Sequence, residues 1–153
     1  MNEMAVHTAK IQPMSDTAIG KVYALERVTG LMEQADIETH HVLHGRMYAR
    51  TIKIPGGVVL TGALVRIPTT LIINGDVTIY ADNDEIRVTG YQVIPASAHR
   101  KQAFITHSHT FVTMVFATAA TTIEEAEDEF TEEASLLMSR NLDAKNFINI
   151  TGE

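Results

Sequence analysis

MYARTIKIPGGVVLTGALVRIPTTLIINGDVTIYADNDEIRVTGYQVIPASAHRKQAFITHSHTFVTMVF, residues 47–116, decides the fold class. Short runs rich in β-branched and aliphatic residues follow one another, each closed by a turn signal, as in a small all-β barrel or sandwich. Met47 to Ile54 alternates, with Met47, Ala49 and Thr51 on one face and Tyr48, Arg50, Ile52 and Ile54 on the other. Pro55-Gly56-Gly57 reads as a turn and Val58 to Leu64 as a second strand interrupted by Gly62. Leu71 to Ile73, the hairpin signal Asn74-Gly75-Asp76 and Val77 to Tyr80 read as two strands joined by a tight turn. After Asp82-Asn83-Asp84, four more strands are expected at Glu85 to Val88, Tyr91 to Ile94, Gln102 to Thr106 and Thr110 to Phe116. About eight strands at this spacing suit a two-sheet jelly roll.

Outward from this core, residues 1–14 look irregular, with Pro13 as a break. Ser15 or Asp16 can cap a helix running to about Val28, with Gly30 as its stop and Gly20 as a weak point. A further helical turn is expected from Leu31 to Asp36. On the other side, Thr122 and Glu125 form a capping-box pattern before a helix expected to reach Arg140. Ile123, Ala126, Phe130, Ala134 and Leu137 form its apolar stripe, and the acids cover the opposite, solvated face. Phe147, Ile148 and Ile150 in the tail need somewhere to bury. The expected organisation is an N-terminal helical arm (1–40), a β-barrel (41–120) and a C-terminal acidic helix and tail (121–153).

The 153 residues are 45% apolar and 20% charged, an ordinary globular balance. With no Trp and 6% aromatics, the core must be aliphatic. Residues 1–120 carry ten basic and ten acidic side chains, whereas residues 121–153 carry two basic and nine acidic, so the formal charge of −7 lies in the last fifth. Nucleic-acid binding, which needs a basic footprint, is therefore not expected; a protein partner with a basic patch is compatible. No apolar run reaches membrane-span length, so no membrane partner is expected. MNEMAVHTAKIQPMSD has no apolar signal core, and the absence of cysteine fits a cytoplasmic setting.

The pieces HHVLHGRMYART, IPGGVVLTG, INGDVTIY and HTFVTMVFATAATTIEEAEDEF, in that order, resemble a group of small cupin-like (RmlC-like) proteins of tailed phages and prophages. The resemblance covers about ninety residues, from His41 to Asp128. It implies a mainly β, cupin-type double-stranded β-helix and a homodimer or higher oligomer. Relatives place a histidine pair after the TG turn, where this chain reads Leu64-Val65-Arg66-Ile67-Pro68-Thr69-Thr70, and histidine at the end of the last core strand, where it has Phe116. The resemblance thus implies a barrel with Val65, Thr69 or Thr70, and Phe116 at the metal positions, and no cofactor is expected.

Three sets of polar residues remain as candidates. His107 and His109 alternate and could ligate a metal with His99 as a third ligand; the competing reading is a solvated loop. Arg46, Arg50, Arg66 and Arg100, with Arg87, could line a pocket for a phosphate or carboxylate; the competing reading is exterior charge or pairing with the acidic helix. His40, His41 and His44 precede Gly45 and read as a loop, with His41 as a structural hydrogen-bonding residue. No calcium loop, nucleophile elbow, phosphate-binding loop or dinucleotide fingerprint is present. The leading expectation is a non-catalytic, phage- or prophage-encoded structural or accessory assembly component, made in the host cytoplasm and incorporated with virion partners. The alternatives are a metal-dependent oxidoreductase or isomerase with relocated histidines, and a metal-free binder of a small anionic ligand.

Overall fold

The computed structural model describes residues 10–82 and 84–153. Helix α1 (Asp16–Thr29) begins where expected: Ser15 is the N-cap, its hydroxyl accepting from the amide of Ala18 at 3.1 Å. Ala18, Ile19 and Val22 bury one stripe beside Met14 and Leu64. Gly20 lies on the opposite, open side, where an added Cβ would meet nothing within 4 Å. The extra helical turn over Leu31 to Asp36 is absent. Instead the side-chain amide of Gln34 donates to the carbonyls of Thr29 and Met32, satisfying the helix end from outside.

Strands β1 (Glu38–His44) and β2 (Met47–Ile54) form an antiparallel hairpin. The loop expected over His40 to His44 is therefore a strand. Thr39, His41 and Leu43 are buried while Val42 and His44 are exposed, the period-two pattern of a half-buried strand. A histidine at an inward position had masked it. Gly45 and Arg46 both take positive φ, 59° and 57°, the geometry of a two-residue hairpin turn.

Beyond the hairpin lie β3 (Val59–Thr61), β4 (Thr69–Ala81), β5 (Asp84–Ala96), β6 (Ala103–Thr106) and β7 (Thr110–Ala117). The sheet order is β3-β6-β4-β7-β2-β1-β8, with β5 on the other edge of β4 and β8 being Lys145–Ile150. Asn74-Gly75 is not a turn. It lies mid-strand in β4, which pairs with β5 from Thr69 to Ala81. At this point β4 changes partners: up to Asn74 it pairs with β7, and from Val77 with β6. The corner joining β6 to β7 crosses Gly75 so closely that a Cβ there would lie 2.5 Å from Thr110 Oγ1 and 2.7 Å from Thr110 Cα. The glycine serves a close crossing, and the sheet curls there into a half-barrel. The two strands expected within residues 85–94 are likewise one, β5. Of the turn expected over Asp82 to Asp84, Asn83 lies outside the described residues.

The curled sheet wraps an aliphatic core that includes Ile54, Ile73, Val77 and Ile79, all almost inaccessible. Tyr48, Phe116 and Phe130 add an edge-to-face chain, with centroids 5.5 and 6.1 Å apart. Helix α2 (Ile123–Phe130) starts at the expected Thr122 cap but ends ten residues early. Two 3-10 turns follow, Ala134–Leu136 and Met138–Arg140, and bring Arg140 Nε to 2.9 Å from Glu127 Oε1. In a continuous helix those residues would stand roughly 20 Å apart, at 1.5 Å of rise per residue. The acidic face is accordingly not all solvated, since Glu127 is buried. The tail forms β8, parallel to β1 at the sheet edge, and leaves Phe147, Ile148 and Ile150 about half exposed.

Candidate functional site

Inside the half-barrel lies a cavity of about 210 Å³. Ile52, Leu60, Leu71, Phe104, Val112, Met114 and Phe130 supply apolar wall, and Arg50, Arg100, Lys101, Gln102, Glu26 and Glu133 bring polar groups to it. Its mouth merges with a second hollow between α1 and β3, since Glu26, Ile37, Leu60, Thr61, Leu136 and Met138 line both.

Arg50 points inward from β2 and is held by acid. Its Nη1 donates to Glu127 Oε2 at 2.6 Å and its Nη2 to Ser139 Oγ at 2.9 Å, with the guanidinium 5.6 Å above the Phe130 ring. Burial alone would raise the Glu127 carboxyl; hydrogen bonds from Ser139, Arg140 and Arg50, with the Arg50 charge, outweigh it and hold the group below the ordinary glutamate range.

A second buried cation had no sequence signal. Lys101, 1% exposed, donates to the Gly62 carbonyl at 2.8 Å and pairs with Glu26 at 3.0 Å and Glu133 at 3.7 Å. Its ammonium sits 4.3 Å from the centroid of Tyr23, whose hydroxyl donates to Glu133 at 2.8 Å. Burial and the neighbouring Glu133 carboxylate push that phenol up to about 12. The cluster ties α1 to the barrel mouth. A lysine and two acids from three distant segments meet only through the fold, so no local spacing could reveal it.

Arg100 differs. It is 1% exposed and donates only to neutral acceptors: Nη1 to the Ser97 carbonyl at 2.5 Å, Nη2 to Thr69 Oγ1 at 2.6 Å and to Met114 Sδ at 4.0 Å. Among the described residues its Nε has no partner, nor does the Nε2 of Gln102, which also lines the cavity. Among the described residues no carboxylate forms an ion pair with it. Burial pulls its guanidinium down to about 10. Its backbone bridges to Val65, in the cavity wall. Val65 and Thr69, at the positions where the resemblance puts a histidine pair, thus frame an arginine. Thr70 is exposed, and Phe116 is core.

Of the four arginines expected at a pocket, Arg50 and Arg100 line the cavity and the others stand elsewhere. Arg46 occupies the β1–β2 turn, exposed. Arg66 caps the end of α2, donating to the carbonyls of Asp128 and Glu129 and to Glu132. Arg87 makes a two-point pair with Asp76 on the barrel exterior, at 2.9 and 2.8 Å.

The histidines expected as a metal set are separated. His99 lies before α1, 3.1 Å from Asp16 Oδ1, whereas His107 bonds Thr78 Oγ1 at 2.8 Å beside exposed His109. Thr69, which holds Arg100, begins β4, and Thr78 lies in its second half. Among the described residues no three His, Asp or Glu side chains gather closely enough to share an ion. His41, by contrast, is built into the frame. Its Nδ1 lies 2.7 Å from Tyr48 Oη and its Nε2 2.7 Å from Asn146 Oδ1. Burial, partly offset by the Asn146 bond, holds it below the ordinary imidazole value.

No family model and no curated protein matches the chain. Solved structures with a similar backbone include a cupin superfamily protein from Desulfitobacterium hafniense (15% identity, 60% of this chain and 87% of that one, TM-score 0.45). Another is a cupin-2 domain protein from Shewanella frigidimarina (8% identity, 61% and 91%, TM-score 0.44). These neighbours are cupins. Ectoine synthase from P. lautus is also similar in backbone (15% identity, 65% and 76%, TM-score 0.49). The likeness is one of chain path alone.

Proposed function

We propose that this protein is a binding barrel for a small organic anion, held without a metal. Arg100 carries the reading: a guanidinium shut away from water, at a cavity wall, without an acidic partner among the described residues. An unpaired buried charge opposes folding by several kcal/mol. Arg50 and Lys101, the other cations of the wall, each have their carboxylates. An entering anion would complete the set. The test is native mass spectrometry of the intact chain purified under non-denaturing conditions, with thermal melts against a panel of small organic anions. A bound anion or an anion-specific rise in Tm supports the reading. A bare protein that no anion stabilises removes it.

One observation favours a second reading, that of an assembly component in the phage or prophage setting implied by the resemblance. Strand β8 is a sheet edge with Phe147, Ile148 and Ile150 half exposed, a template for strand pairing. Light scattering of the intact chain against Ile148→Lys tests it. An oligomer that falls apart in the variant supports assembly; a monomer in both removes it. Nothing here favours a catalyst built on His99, His107 and His109, which lack a common point.

A further inference from the structure

Resting on the binding reading above, we infer that the ligand is a monocarboxylate with an extended apolar body, its carboxylate at Arg100 and its chain running out through the barrel mouth.

Local pairing, rather than the net charge of the wall, selects the head group, because Glu26 and Glu133 together outnumber Lys101 but both pair with that ammonium. Arg100 offers one unit of positive charge with no carboxylate against it among the described residues. A monoanion neutralises it. A phosphate dianion would leave one negative charge stranded in a low-dielectric site. Geometry agrees, because a carboxylate presents two in-plane acceptor oxygens that a guanidinium edge engages through two N–H groups. The Nε of Arg100 and the Nε2 of Gln102 are donors without partners among the described residues. Nη2 donates to Thr69 Oγ1 and, through its other N–H, to the Met114 thioether, a weak acceptor on an unbranched side chain that can move aside.

The walls select the rest. The cavity that Arg100 lines is also faced by Leu60, Leu71, Phe104 and Val112, which offer a ligand no hydrogen bonds from their side chains. The mouth passes Ile37, Leu60, Leu136 and Met138, with Glu26 and Thr61 beside them, into the outer hollow, which Val28 and Met32 also line. Val28, Met32 and Leu136 are 59%, 63% and 74% exposed. A largely apolar path thus joins the cavity to the outer hollow, and an apolar chain laid along it is removed from water.

The experiment is calorimetric titration of the intact protein with octanoate, octanamide and octyl phosphate, repeated on Arg100→Gln. Octanoate is expected to bind one to one and raise Tm. Octanamide and octyl phosphate should each bind at least tenfold more weakly, and Arg100→Gln should bring octanoate to the level of the amide. Equal binding of octanoate and octanamide by the wild-type protein would overturn the carboxylate assignment while leaving a binding barrel. Octyl phosphate binding as tightly as octanoate would overturn the monoanion assignment. If none of the three binds and a short anion such as acetate stabilises the protein, the apolar body is wrong and the binding reading survives. If no anion acts at all, both fall. The wild-type comparisons decide the matter even if Arg100→Gln does not fold.

Discussion

Glu127 accepts a 2.6 Å hydrogen bond from Arg50 across 77 residues of chain, with only 2% and 10% of the two side chains exposed. This pair joins α2 to the inner face of the barrel. Ser139 and Arg140 close on the same carboxylate at 2.6 and 2.9 Å. Removing the acid strands Arg50. Glu127→Ala is expected to destabilise the protein by about 3–5 kcal/mol, the usual cost of breaking a buried pair on one side. Urea unfolding measures it; a loss within about 1 kcal/mol, as for an exposed pair, would show that the network is not a structural tie.

The buried imidazole makes stability depend on pH in a stated direction. Arg50 Nη1 donates to Tyr48 Oη at 3.2 Å, Tyr48 to His41 Nδ1, His41 Nε2–H to Asn146 Oδ1, and Asn146 Nδ2 to the Ser139 carbonyl at 2.8 Å. This relay requires a neutral His41, and burial lowers its folded value accordingly. The unfolded chain therefore takes up the proton first as pH falls. The stabilisation is fully present above about 6.5 and is lost as pH drops from there through the folded value. Urea midpoints should fall between pH 7.5 and 5, and His41→Gln should flatten that fall. An unchanged pH slope in the variant would place the titration elsewhere.

Two glycines should respond oppositely to alanine. Gly75→Ala drives a Cβ into the backbone of Thr110 at the crossing of β4 with the β6–β7 corner, where neither strand can yield. The expected loss is about 1–3 kcal/mol or more, as for overpacked sites. Gly20→Ala, on the open face of α1, should raise stability by roughly 0.5–1 kcal/mol. Thermal melts of the two variants suffice: a Gly75→Ala protein as stable as the wild type would contradict this account of Gly75, and a loss in Gly20→Ala would contradict that of Gly20.

Arg46 sits at φ 57° in the β1–β2 turn and makes no ion pair among the described residues. Left-handed backbone costs an L-residue about 1–2 kcal/mol. Arg46→Gly should therefore stabilise the hairpin by about 0.5–1 kcal/mol, less than the strain because glycine gives up more freedom on folding. Anion binding should not change, since the turn lies outside the cavity. A loss of binding would return Arg46 to the site.

The sequence by itself determined the local pieces. Period-two alternation, the Ser15 and Thr122 caps and the density of turn signals depend on near neighbours, so they predicted a mainly β chain with helices outside the sheet. The apolar stripe of α2 also marked its buried residues, although the helix stops at Phe130. Asn74-Gly75 misled because its short-range meaning is a hairpin, while its role here is a clearance between strands distant in sequence. Long-range relationships belong to the tertiary structure alone. It folded residues 131–140 back onto Glu127, because a buried carboxylate draws in donors wherever the chain can bring them. It took Lys101 into a shell of acids and left Arg100 without one among the described residues. Which arginine meets a carboxylate and which meets only neutral acceptors depends on what the fold brings within a few ångströms, and that distinction is what made one of them a candidate site.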